Sequence, residues 1–158
     1  MDVMIYKKKI KQKFSIPSSQ KISIYSLGDT DELAMSLGKL VIDGTKKAST
    51  SGYRLYESGP IPKKGDISII IDNHHHPLCT IRNTAVKTVK FNDMTEDEVR
   101  KEGESDLSLA SWKEDHRQFL TPYYQKYLGI DFTEDEMVVH EEFEVIDVYE
   151  KSKKTNKS

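Results

Sequence analysis

Gly65-Asp66-Ile67-Ser68-Ile69-Ile70-Ile71 is the stretch on which the fold turns. The Gly-Asp pair is a turn signal, and the β-branched run behind it belongs in a mostly buried strand. Asp72 to Pro77 reads as the next turn. Leu78 to Phe91, rich in Thr and Val, is then the antiparallel partner of the isoleucine strand. Further along, Met137 to Tyr149 reads as another strand, with Val139, Phe143 and Val145 alternating with His140, Glu142 and Glu144. Around these strands the spacing becomes helical. Asp29-Thr30-Asp31-Glu32 offers a cap and an acidic first turn, and Leu33, Leu37, Leu40 and Val41 carry a helix to about Asp43. Thr95-Glu96-Asp97-Glu98 is a capping box for a short helix. Ser108 caps a longer one, with Leu109, Trp112, His116, Phe119, Leu120 and Tyr123 on one face and a bend or break expected at Pro122. Tyr53 to Lys64, studded with Gly and Pro, is predicted as a loop. This order of elements predicts an α+β fold built on a compact, mostly antiparallel sheet or small barrel with peripheral helices.

Within 158 residues that architecture is one domain, expected over 21–150, after a basic N-terminal segment at 1–20 and before a charged, disordered tail at 151–158. The lone Cys79 excludes an internal disulfide and sits in a strand-like run, so it is expected to be a small buried hydrophobe. No signal-peptide core and no run of transmembrane length occurs, which gives the expectation of a cytoplasmic protein that does not enter membranes. Net charge is -2, but the charges segregate. Lysines crowd the first half and carboxylates the segments 93–106 and 131–150. A local anion-binding face fits that pattern; tight, non-specific binding to long nucleic acid does not.

Three clusters can carry chemistry. Gly44-Thr45-Lys46-Lys47-Ala48-Ser49-Thr50 places an amine and two hydroxyls just past a helix end. A lysine three residues before a hydroxyl can stand beside it on one helical turn and accept its proton. The plainer alternative is a polar helix-to-loop transition with Gly44 as the stop. Glu102-Gly103-Glu104-Ser105-Asp106 packs carboxylates around a glycine. It is either a solvated acidic loop or one whose repulsion a nearby lysine relieves. His74-His75-His76 lies between two strands, and extended chain cannot aim three adjacent imidazoles at one metal, so a turn without metal is expected. Trp112, His116 and Phe119 are expected to pack into the core rather than stack on bases.

Taken together, these residues resemble the ASCH domain family, over about Leu33 to Tyr149. Its G-x-K-x-x-T motif appears as Gly44 to Ser49, with serine in the threonine place and Thr50 following. Its E-G-E-G-D signature, followed by S-L-x-x-W and H-x-x-F, appears as Glu102 to Asp106, Ser108-Leu109, Trp112, His116 and Phe119. The resemblance implies a PUA-like β-barrel and a module that binds RNA or a nucleotide. It also implies an alternative, since one branch hydrolyses the acetyl amide of N4-acetylcytidine with a lysine, threonine and glutamate, and another member acts as a ribonuclease. By position Lys46, Ser49 and Glu104 would be the catalytic set, with Thr50 and Glu102 as alternates. In that scheme Lys46, its pKa lowered by burial, takes the Ser49 proton. Gly44, Thr50, Glu102, Asp106 and Arg54 would line the ligand cleft. The expected partners are a nucleoside, a nucleotide or a short single-stranded RNA; no cofactor and no metal is implied.

Overall fold

The computed structural model describes residues 2–56, 59–104 and 107–150. Its elements are α1 (Asp2–Lys13), β1 (Ser23–Ser26), α2 (Asp31–Ile42), β2 (Ala48–Gly52), β3 (Ile67–Ile71), β4 (Pro77–Lys90), α3 (Glu96–Arg100), α4 (Leu109–Leu128) and β5 (Met137–Val148). The strands form one five-stranded sheet in the order β1-β3-β4-β5-β2. Pairing is antiparallel at β3 with β4 and at β2 with β5, and parallel at β1 with β3. Chain contacts divide the protein into two compact units. Among the described residues the first comprises 2–44, 65–83 and 143–150, and the second 45–56, 59–64, 84–104 and 107–142.

In the first unit, β3 is an interior strand between β1 and β4, with isoleucines buried on both faces. Ile67, Ile69 and Ile71 pack with Val3, Tyr6, Ile10 and Ile22, while Ile70 packs with Val41, Cys79, Ile81 and Phe143. Helix α1 was not foreseen; its lysines mask a stripe at Val3, Tyr6 and Ile10 with the spacing of one helical face. Tyr6 is fastened further, donating to Asp147 Oδ2 at 2.7 Å and accepting from Thr80 at 2.8 Å. Helix α2 begins as expected, with the Thr30 hydroxyl accepting from Leu33 N, and the left-handed Gly44, at φ 85°, follows its end. Burial pushes the Cys79 thiol up to about 12, so it behaves as the packing residue the sequence predicts. The histidine run is a turn: Asp72 Oδ1 accepts from the backbone of His74 and His76 at 2.8 and 2.9 Å, and His75 takes φ 64°.

The second unit has its own core of Phe91, Met94, Val99, Trp112, Leu120, Tyr124, Phe132 and Val138. The Thr95–Glu98 capping box and the Ser108 cap both form. Pro122 does not interrupt α4: the helix runs on through it, and Leu120 and Tyr124, both fully buried, anchor it on either side. Phe119, expected on the buried face, is 53% exposed, and the packed stripe is Trp112, Leu120 and Tyr124. In β5 the simple alternation also breaks, since Val138, Val139 and His140 are all buried. Residues 46–50, read as a helical turn or loop, lead instead into strand β2. The tail at 151–158 and Asp106 lie outside the described residues.

Candidate functional site

The second unit gathers most of the chemistry-bearing residues, and one glycine explains how. Gly103 has φ 66°, and a Cβ there would lie 2.4 Å from the Thr45 carbonyl oxygen and 3.1 Å from Lys46 Cα. Only glycine fits both the left-handed backbone and the close approach. The same approach is stitched by the Lys47 backbone N–H donating to the Lys101 carbonyl at 2.6 Å. Glu102 and Glu104 therefore flank the Lys46 backbone. The Lys46 amine, in a residue only 3% exposed, donates to the Glu102 carbonyl at 3.3 Å and to Glu104 Oε2 at 2.5 Å. Glu104 is the outer member of the cluster, with 34% of its side chain exposed.

Glu102 is the inner member, 1% exposed. Its Oε2 accepts from Thr50 Oγ1 at 2.6 Å and from Trp112 Nε1 at 2.9 Å. Its Oε1 lies 3.5 Å from His116 Nε2, and His140 Nδ1 is 3.6 Å from Oε2. Burial alone would raise this carboxyl, but His116 and His140, with the Lys46 charge, outweigh it and hold Glu102 well below the usual carboxylate range. Trp112 does two jobs. Its ring is stacked between Phe91 and His116, with centroids 5.0 and 4.2 Å away, and its N–H neutralises a buried acceptor.

The hydroxyls divide by strand alternation. Thr50 turns toward Glu102 and His140. Ser49 therefore points to the opposite face of β2, with Ser51, which bonds Tyr56 at 2.7 Å. The structure thus brings together Lys46, Thr50, Glu102 and Glu104 and leaves Ser49 apart. Arg54 is paired with Glu136 at 2.6 Å, and Gly44 belongs to the end of α2 in the first unit. His140 was missed because it occupies a polar place in the apparent alternation of β5. Its register opposite Thr50 emerges only from the pairing of β5 with β2. Among the described residues, no group of His, Cys, Asp and Glu is arranged to hold a metal, and no helix is long and apolar enough to cross a membrane.

The protein is an α+β module with a curled five-stranded sheet, the PUA-like fold of solved ASCH domains. The chain belongs to the ASCH domain family, whose model matches residues 23–147. Among solved structures it is similar to protein EF3133 from Enterococcus faecalis V583, at 29% identity and a TM-score of 0.83 over 95% of each chain. It is also similar to an ASCH domain from Lactobacillus crispatus JV V101, at 29% identity and a TM-score of 0.78, over 87% of this chain and 91% of that one. No curated protein matches its sequence.

Proposed function

We propose that the Lys46 cluster is a ligand site for a nucleoside, a nucleotide or a short single-stranded RNA segment, and that the protein acts by binding it. The observation that carries this reading is a buried amine, 3% exposed, joined to a carboxylate that reaches the surface. A buried ionic cluster is seldom the most stable filling for a small domain, and such clusters concentrate at functional sites. Membership of the ASCH family supports RNA as the ligand class. With Trp112 packed in the core, affinity would come from hydrogen bonds and local charge around Lys46, Thr50 and Glu104 rather than from stacking on that ring.

The same residues are the reason to weigh amide hydrolysis, since they bring a hydroxyl, an amine and two carboxylates together. Proton accounting favours binding. Glu102, held well below its usual range, is a weak acceptor for the Thr50 proton, and the Lys46 amine already donates to two oxygens. Calorimetric titration with cytidine, cytidine monophosphate, N4-acetylcytidine and a short single-stranded RNA tests the reading. At least one should bind, and Lys46→Ala and Glu104→Gln should each weaken it by about tenfold or more, the worth of a charge-assisted hydrogen bond. Release of acetate from N4-acetylcytidine would put the hydrolase in its place. Absence of binding across the panel would remove the nucleoside site.

A further inference from the structure

Thr50 sits at a junction of two contacts, Glu102 Oε2 at 2.6 Å and His140 Nδ1 at 3.1 Å. A hydroxyl offers one hydrogen and two lone pairs. Glu102 is an ionised carboxylate with only lone pairs to offer, so the hydrogen between the two oxygens belongs to Thr50. The second contact must then run the other way, from a protonated Nδ1 of His140 into the Thr50 oxygen. The other acceptor facing Nδ1, Glu102 Oε2, is 3.6 Å away, so Thr50 Oγ1 at 3.1 Å is the one within hydrogen-bond reach. His140 is 1% exposed, and its Nε2 has no hydrogen-bond partner among the described residues. The nearest anion to Nε2 is Glu142 Oε2 at 3.6 Å, beyond hydrogen-bond reach, and Lys101 holds that carboxylate at 3.1 Å.

We infer that His140 is a positioning residue of the ligand site: by donating Nδ1–H to Thr50 it fixes the hydroxyl hydrogen on Glu102 and leaves Thr50 one lone pair, with which it accepts an amino or amide N–H of the ligand. Thr50 is half-buried whereas His140 is buried, so of the two it is Thr50 that a ligand would meet. The assignment sets a chemical preference: a base with an exocyclic amine satisfies Thr50, and a base lacking that N–H leaves it unpaired. The inference rests on the nucleoside reading of the Lys46 cluster for its ligand, but not for its proton assignment.

Two measurements separate these. In long-range proton–nitrogen spectra of the uniformly labelled full chain, with His140 assigned through His140→Asn, Nδ1 should appear protonated. Thr50→Val, which removes the acceptor, should shift the Nδ1 resonance, and an unchanged resonance would contradict the contact. A bare Nδ1 in the wild type overturns the inference outright. In titrations, cytidine should bind about fivefold or more tightly than its analogue lacking the exocyclic amine, the worth of one neutral hydrogen bond. That preference should vanish in His140→Leu and survive in His140→Asn, whose side-chain N–H can take the place of Nδ1–H. A preference unchanged in a folded His140→Leu, or lost equally in both variants, contradicts the positioning role. Failure of both nucleosides to bind a wild type with protonated Nδ1 overturns the nucleoside reading instead.

Discussion

At the residue scale, the absent side chain of Gly103 does as much for the site as the charged groups beside it. Its left-handed backbone lets the Glu102–Glu104 segment lie against Thr45 and Lys46, and the contacts of the Lys46 amine with Glu102 and Glu104 follow from that approach. Gly103→Ala should cost more than about 2 kcal/mol, because an L side chain at this φ costs about 1–2 kcal/mol before the clash with the Thr45 carbonyl is added. A denaturant melt within error of the wild type would contradict the close approach of Gly103 to the Thr45 carbonyl. Much of this was legible in the sequence. A Gly between two Glu, and a Gly-x-Lys earlier in the chain, already suggested a carboxylate loop relieved by a lysine. Which hydroxyl and which glutamate face inward was not legible, since Ser49 and Thr50 differ only in strand parity, and parity requires knowing that the segment is a strand.

At the scale of elements, what the sequence disclosed follows from where the ordering force lies. Helices α2, α3 and α4 start where a local cap fixes them, so Thr30, Thr95 and Ser108 were readable in isolation. Strand β2, Ala-Ser-Thr-Ser-Gly, has no apolar alternation; it is a strand because β5 pairs with it from residue 138 to residue 142. A break of α4 at Pro122 was one of the two expected outcomes, and packing on both sides of the proline overrides it. Along that helix, Trp112 separates two contributions that a pair of variants can measure. Trp112→Ala should lose about 3 to 5 kcal/mol, as for a large aromatic taken from a core. Trp112→Phe keeps much of the ring but removes the donor to Glu102, and should lose about 1 to 3 kcal/mol, the cost of an unmet buried acceptor. A Trp112→Phe variant as stable as the wild type would mean that the N–H contributes nothing, and equal losses in the two variants would mean that the ring packing adds nothing beyond it.

At the scale of the whole molecule, the buried Glu102 ties stability to pH. Its folded-state pKa is depressed, so its contribution is present above the unfolded value, about 4.3, and is lost as pH falls from there through the folded value. Thermal melts of the wild type and Glu102→Gln should therefore differ most near neutrality and converge as the buffer is taken from pH 6 toward pH 3. A gap that stays constant over that range would contradict the linkage. The division of the chain into interleaved units bears on something else, the order in which the protein can come into being. Thr50 and His140 are 90 residues apart, so a nascent chain emerging from the ribosome exposes β2 long before β5 exists to pair with it. During that interval the segment is an unpartnered strand, the kind of element that seeds aggregation when it is apolar. The small polar residues that hid β2 from recognition are thus what let it wait safely in solvent until residues 138–142 have been made.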